Sequence, residues 1–347
     1  MDKYFEISGR RIGPKYEPII IAEIGINHGG DLDVAKAMVD AAYKSGLEVI
    51  KHQTHIPEEE ITSLAKELKM CQSDDCNLYE TLEKISLTEE QERELKKYVE
   101  DKGMIFISAP FSFAAVDRLE RMNIPAYKIS STMMNNYPLL EYVASKRKPI
   151  ILSTGMNDME AVRKAVKTIK KYHSEFALLH CTNIYPTPAD KLRLNSLKEF
   201  EDAFPKGIIG LSDHSLNNFS SYAALSLGAS IVEKHFTDRT DRTGPDIKWS
   251  MTPKEAKELL AFAKDINKMK EGKKEALAEE LEVSEKLFNT VVTTRSIRKG
   301  SCLTKDDLTT KGPNQSGIPA EDLYKVVWKK AKKDFPADYH LEWEDLA

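Results

Sequence analysis

Little in this sequence invites extracellular or membrane chemistry. Its four cysteines, Cys71, Cys76, Cys181 and Cys302, are scattered through 347 residues. No second Cys or His pair follows Cys71 and Cys76 at zinc-site spacing, so the cysteines read as reduced thiols rather than a disulfide frame or a zinc cage. No apolar run approaches the roughly 20 residues of a membrane span. The opening MDKYFEISGRRIG lacks the apolar core of a secretory signal. These absences set the expectation of a cytoplasmic protein with no membrane partner. Basic residues never gather into a patch: 51 Lys and Arg against 55 Asp and Glu leave a net charge of −4. A nucleic-acid partner therefore has no electrostatic footprint. A G-x-G-x-x-G turn is missing too, since GINHGG lacks that spacing, which argues against a dinucleotide-binding sheet.

What is present is an alternation of short apolar, β-branched runs with helix-period stretches. Strands are expected at 19–24 (IIIAEI), 48–53, 104–108, 126–130, 149–153, 176–181, 207–212 and 230–235. Helices are expected between them, at 33–45, 89–102, 113–121, 137–146, 159–171, 194–204 and 218–227, with a further one over 253–269. Parallel strands need such crossovers, and eight units in about 250 residues fit a closed α/β barrel. A charged connector, KEGKKEALAEELE, then separates a tail with Gly, Pro and Ser punctuation and a Thr304 helix cap. The expected division is 1–270 for the barrel, 271–284 for the linker and 285–347 for a small tail domain.

Polar residues gather at the C-terminal ends of the strands: Glu23, Lys51 with His52 and Gln53, Lys128, Ser130 with Ser131, Ser153 with Thr154, His180, Ser212 to His214, and His235. In a barrel these ends meet on the face where active sites are built. Strand ends entering solvent would account for Ser and Asp, but not for two strand lysines and two strand-end histidines. His214 and His235 sit one unit apart, and neighbouring strands are about 4.8 Å apart, so the imidazoles can share an ion. Core packing or acid–base roles account for two histidines equally well at this level. Lys51 and Lys128 follow apolar residues and must find an anion or shift their pKa. Either a Schiff-base nucleophile or an anion clamp satisfies that need, and nearby Ser131, Ser153 and Ser212 favour the clamp. Glu23 is the one charge in its apolar run, where a structural ion pair is the ordinary explanation. Asp246 reads as a loop acid. His28, His52 and His55 are assigned hydrogen bonding near the site, and His173 and His340 the surface.

The segments IIIAEIGINHGGDLDVAKAMVDAA, EVIKHQTHI, AYKISSTMMNNYPLL, ILSTGM, LLHCTNIYPTP, IIGLSDHS and EKHFTDRTDRTGPDIKWSM resemble those of sialic acid synthases (N-acetylneuraminate synthase and its nonulosonate relatives), in the same order. The tail VVTTRSIRKGSCLTKDDLTTK resembles that family's antifreeze-like SAF domain. The resemblance implies a (β/α)8 TIM barrel followed by a small SAF (β-clip) domain. It implies condensation of phosphoenolpyruvate with an open-chain N-acetylated amino sugar, N-acetylmannosamine or a close relative. It implies a divalent metal on His214 and His235, usually Mn2+, with Mg2+ and Co2+ as alternatives. Phosphoenolpyruvate would be held by Lys51, Lys128, Ser131, Ser153 and Ser212. The sugar would meet Gln53, Asn183, Tyr185 and Asp246, and Glu23, Lys51 and the two histidines would act in catalysis. The family's domain-swapped homodimer would bring Phe288 near the partner's sugar.

Three positions depart from the family pattern. Met133 stands where a carboxylate is usual, Ala109 where a threonine is usual, and Gly312 where bacterial relatives often carry arginine. They leave two other readings open: a weakened barrel that binds ligand without turnover, and a Schiff-base aldolase using Lys51 or Lys128.

Overall fold

The computed structural model describes residues 3–67, 77–173, 175–313 and 316–347. Cys71 and Cys76 lie outside the described residues. The chain divides into two compact units, Met1–Glu271 and Gly272–Ala347.

The first unit opens with an antiparallel hairpin, β1 (Phe5–Ile7) and β2 (Arg10–Ile12), which the sequence reading does not anticipate. Eight parallel strands follow: β3 (Ile19–Gly25), β4 (Val49–Thr54), β5 (Ile105–Pro110), β6 (Tyr127–Ile129), β7 (Ile150–Ser153), β8 (Phe176–Cys181), β9 (Ile208–Asp213) and β10 (Ile231–His235). They pair in chain order, and β10 pairs back onto β3, closing the barrel. The helices are α1 (Leu32–Ser45), α2 (Pro57–Glu60), α3 (Leu78–Ile85), α4 (Glu89–Glu100), α5 (Phe113–Arg121), α6 (Tyr137–Ser145), α7 (Met159–Ile169), α8 (Ser196–Ala203), α9 (Phe219–Ser226) and α10 (Pro253–Met269). The stretch between β4 and α4, read from sequence only as a polar excursion, holds α2 and α3.

Local chemistry fixes the helix ends. Asp31 caps α1 by accepting from the backbone N–H of Asp33 and Val34. Gly46, at φ 90°, closes the same helix in the left-handed conformation that glycine adopts without strain. Thr88 with Gln91 and Thr252 with Glu255 form capping boxes on α4 and α10.

Period-two patterning divides the apolar core in two. On β3, Ile20, Ala22 and Ile24 pack outward into the layer between strands and helices. Ile19 and Ile21 pack inward, with Val49, Ile107, Ile151, Leu179 and Ile231. Phe5, Ile7 and Ile12 of the hairpin belong to this inner cluster. The lower interior is therefore filled by hydrocarbon, as expected of a barrel core, and polar side chains occupy the inner face only at the strands' C-terminal ends. Register lines them up there: His235 pairs with Glu23, and Glu23 with Lys51.

The second unit carries α11 (Ala278–Leu287), the two-stranded β11 (Thr290–Thr293) and β12 (Leu308–Lys311), and α12 (Leu323–Val326). Its core includes Val291, Leu303, Ile318, Phe335 and Leu341. The expected connector thus contains most of a helix, α11, none of whose residues is buried. Among the described residues no helix is long and apolar enough to cross a membrane.

Candidate active site

Eleven of the residues that the sequence points to line one cavity of about 230 Å3 at the C-terminal mouth of the barrel. They are Lys51, Gln53, Lys128, Ser131, Ser153, Asn183, Tyr185, Ser212, His214, His235 and Asp246. Glu23 adjoins it, with Oε1 accepting from Gln53 Nε2 at 3.1 Å and 3.3 Å from Lys51 Nζ. Phe288 belongs to the second unit, where it is exposed.

The inner charges form a chain. Glu233 Oε1 lies 3.5 Å from Lys51 Nζ and 3.3 Å from Lys128 Nζ. Glu233 lines the cavity and was missed by the sequence reading, although its position two residues before His235 puts both on the same face of β10. Burial pushes the Lys51 ammonium toward neutrality, but Glu23 and Glu233 outweigh it and its pKa ends above the usual lysine value. For Lys128 burial wins, and Glu233 offsets it only in part, so its pKa is lowered. Burial would raise the Glu23 carboxyl, yet Lys51 and His235 hold it well below the carboxylate range.

Several of these buried groups lack full hydrogen-bond partners. Ser153 Oγ, Glu23 Oε2, Glu233 Oε2 and His235 Nδ1 have none in the protein. Glu23 Oε2 lies against His235 Nδ1, but outside hydrogen-bonding alignment. Buried polar atoms are nearly always satisfied, so atoms of this kind facing a cavity are available to a ligand.

The two imidazoles face each other with ring centroids 5.3 Å apart. His214 Nδ1 lies 3.0 Å from the Thr182 carbonyl oxygen, which selects the tautomer with a proton on Nδ1 and leaves Nε2 as an acceptor, 3.3 Å from the Tyr185 hydroxyl. Burial, with the neighbouring His235 charge, lowers the His214 pKa to about 3, so the ring is neutral. His235 Nδ1 lies 3.5 Å from Asp246 Oδ2. Glu23, His235 and Asp246 offer three ligand atoms within 4.8 Å of one another. This nitrogen and carboxylate donor set, two of whose atoms lack other partners, fits a hard or borderline divalent cation. It shares His235 with the expected pair but does not include His214, and Asp246 is here a half-buried neighbour of His235 rather than a solvated loop acid.

Other residues fall outside the cavity. His180 Nε2 bonds the Leu192 carbonyl oxygen at 2.7 Å. His52 faces Glu92 at 3.2 Å behind β4 and stacks on His28, while His55 bridges Glu60 and Gln53. His173 and His340, expected at the surface, are half-buried, and His340 Nδ1 meets Thr290 Oγ1. Ala109 is buried in β5, and Met133 packs against the strand–helix core.

Lysines, hydroxyls, imidazoles and carboxylates converge on one cavity at the C-terminal mouth of the barrel, the anatomy of a barrel-enzyme site suited to an anionic small molecule. Residues 38–275 match the NeuB family and residues 288–347 the SAF domain. The chain belongs to the NeuB family and ends in a SAF domain. It is 33% identical over 325 residues to the N-acetylneuraminate-9-phosphate synthase of Homo sapiens, spanning 93% of this chain and 90% of that one. It is 34% identical to the N,N'-diacetyllegionaminic acid synthase of Campylobacter jejuni, spanning 92% and 97%. A crystal structure of the N-acetylneuraminic acid synthetase of Leptospira borgpetersenii in complex with citrate superposes with a TM-score of 0.74 at 30% identity, covering 83% of this chain and 97% of that one.

Proposed function

We propose that this protein condenses phosphoenolpyruvate with an open-chain N-acetylated amino sugar and water, giving a sialic-acid-type nonulosonate and phosphate. The observation that carries the reading is the paired ammonium groups of Lys51 and Lys128, set with Ser131, Ser153 and Ser212 in one cavity with two facing imidazoles in a NeuB-family barrel.

Phosphoenolpyruvate carries a phosphate and a carboxylate, and two lysines with three hydroxyls offer donors that the oxygens of both groups can accept from. Ser153 Oγ, without a protein partner, is free to donate to a ligand oxygen. Gln53, Asn183 and Tyr185 line the same cavity with donors and acceptors suited to sugar hydroxyl and acetamido groups. A divalent ion, Mn2+ by family resemblance with Mg2+ or Co2+ as alternatives, would be held by His214 and His235 with Glu23 and Asp246 beside them. When bound, such an ion polarises a carbonyl oxygen.

The enol carbon of phosphoenolpyruvate bonds to the aldehyde carbon of the sugar as the carbonyl π bond opens and its oxygen takes up a proton; water adds to the adjacent carbon and gives up a proton, and phosphate departs by C–O cleavage to leave the ketone. Lys51 and Lys128 stabilise the anionic charge that moves during these steps. Glu23, held ionised by Lys51 and His235, is a weak base, and its part in this reading is to offset the charge on Lys51 and His235 beside the reacting groups. Glu233 lies between the two ammonium groups and favours the charged form of each, although at Lys128 it offsets burial only in part.

The second unit caps a partner's barrel in this reading, as a domain-swapped homodimer, with Phe288 against the partner's sugar. Support comes from the exposed apolar row Leu277, Leu281, Leu287 and Phe288 along α11. Deleting residues 285–347 is expected to raise the KM for sugar more than that for phosphoenolpyruvate; equal losses would argue against a cap serving the sugar.

The deciding experiment is phosphate release from phosphoenolpyruvate with Mn2+ and a panel of N-acetylhexosamines. Release that depends on one sugar and disappears with chelator supports the synthase. A folded, metal-loaded protein with no release for any sugar would leave a ligand-binding barrel. The lowered pKa of Lys128 favours one second reading, a Schiff-base aldolase; borohydride trapping of a pyruvate adduct on Lys128 would establish it.

A further inference from the structure

Two fully buried charges lie on the outer side of the barrel wall, directly behind the imidazoles. Lys234 Nζ donates to Asp213 Oδ2 at 2.9 Å, to the Ser215 carbonyl oxygen at 2.7 Å and to the Asn217 carbonyl oxygen at 3.1 Å. Asp213 in turn accepts from the Ser215 backbone N–H at 2.9 Å, from Ser220 Oγ at 2.6 Å and from Ser221 Oγ at 2.7 Å. The ammonium's three protons all have acceptors, and both carboxylate oxygens have donors.

The placement in the chain matters as much as the bonding. Asp213 immediately precedes His214, and Lys234 immediately precedes His235. Asp213 and Lys234 are register partners across β9 and β10. Successive side chains on a strand point to opposite faces, so the pair outside the wall fixes what the two rings do inside it.

His214 itself lies one residue past the end of β9, beyond the ladder. A ladder hydrogen bond therefore does not hold it at a set distance from His235. Thr182 orients its ring through Nδ1, and the Thr187 backbone N–H donates to its carbonyl oxygen. The segment just after it is tied to β10 by a single ammonium, that of Lys234, through Ser215 and Asn217.

We infer that Asp213 and Lys234 are positioning residues that set the separation of the His214 and His235 rings, and through it the affinity for a divalent cation. The cation part rests on the metal-dependent reading above; the geometric part does not. Outer partners that orient ligating histidines usually do so by bonding the imidazole itself. Here the brace acts one residue away, through the backbone.

The test uses the full chain and four proteins: wild type, Lys234→Met, the double variant Ser220→Ala/Ser221→Ala, which keeps both charges but loosens the carboxylate, and His214→Ala/His235→Ala as the metal control. Mn2+ affinity by calorimetry, the visible absorption of bound Co2+ and the ring separation in crystals are read for each. Lys234→Met is expected to bind Mn2+ about 10- to 100-fold more weakly, with an altered Co2+ spectrum. Its rings should move from the 5.3 Å separation by more than about 0.5 Å. The serine variant should show the same changes, smaller. Unchanged affinity, spectrum and ring separation in folded Lys234→Met would overturn the inference. If Lys234→Met elutes as aggregate, the serine variant decides, and wild-type values there on all three readouts overturn it. If wild type binds Mn2+ no better than His214→Ala/His235→Ala, the metal reading fails instead, while the crystal separation still judges the brace.

Discussion

β10 carries two buried charges side by side, and they live in opposite conditions. Glu233 faces the cavity, shares two lysines at 3.3 and 3.5 Å and leaves Oε2 without a hydrogen-bond partner. Lys234, the next residue, faces the helices and has an acceptor for each of its protons. The same division runs around the mouth. Inside, Ser153 Oγ and Glu233 Oε2 lack partners; outside, Asp213, Ser220 and Ser221 have theirs. A structural ion pair is finished by the protein, whereas a binding site is left for its ligand to complete. Folding tolerates the unfinished side because the hydrocarbon plug below it and the strand–helix core around it supply the stability.

If that division is right, inner substitutions should remove function and spare the fold, and outer ones should cost stability first and reach function only through the separation of the two rings. The largest effect is expected inside. His214→Ala and His235→Ala should each abolish phosphate release while the unfolding midpoint in urea stays near wild type. Full turnover in either variant would break the inner half of the comparison.

Next comes the outer pair. Asp213→Asn leaves the Lys234 ammonium buried among carbonyl oxygens with its countercharge gone, and this is expected to cost about 3–5 kcal/mol of stability. Urea denaturation measures it directly. A cost below about 1 kcal/mol would mean that the network relaxes and is not the finished structure described above.

Glu92 sharpens the comparison because it lies on the outer side and is nevertheless unfinished. It is buried behind β4 with His52 at 3.2 Å and Arg118 at 3.5 Å, and its Oε2 has no partner. Burial outweighs the nearby guanidinium and lifts its pKa to about 8. His52 and His28, buried beside it, are pushed down to about 3 and are neutral. An unfolded glutamate titrates near 4.3, so across mild acid to pH 8 the folded chain holds a proton that the unfolded chain has released. The contribution of this residue to stability is therefore full below about pH 4 and declines as pH rises toward 8. Glu92→Gln stays neutral throughout and should flatten that slope by on the order of a few kcal/mol between pH 5 and 8. Parallel slopes in urea titrations of the two proteins would show that Arg118 keeps the carboxylate ionised.

How much of this was legible in the sequence follows from what each feature depends on. Barrel strands read well because each is a short β-branched run bounded by polar ends, and 176–181 is reproduced residue for residue as β8. Helices with strong apolar periodicity, such as α5 and α10, were equally plain. The β1–β2 hairpin was not, because three-residue strands carry too little alternation to register. Among site residues, Lys51, Lys128, His214 and His235 stood out as chemistry that a strand end does not need. Glu233 was passed over because EKH shows two charges in succession and only the pleat tells which one faces inward. Asp246 looked like a loop acid because its partner, His235, is fixed by the folding of the loop after β10 and by nothing local. The Asp213–Lys234 brace was invisible for the same reason: its bonds join residues 21 positions apart.

The smallest expected effect is also the most direct trial of the division. Ser153 Oγ is buried and has no protein partner. A buried hydroxyl in that condition costs stability, so Ser153→Ala should leave the ligand-free protein unchanged or more stable by up to about 1 kcal/mol in urea. With phosphoenolpyruvate present the sign reverses. The hydroxyl would then donate to an anionic oxygen, a bond worth roughly 1.5–3 kcal/mol, and its loss should weaken phosphoenolpyruvate binding about tenfold or more by calorimetry. A variant that is less stable without ligand and binds as wild type does would make Ser153 a structural residue. The inner face would then be as finished as the outer one, and the reason for reading it as a site would be gone.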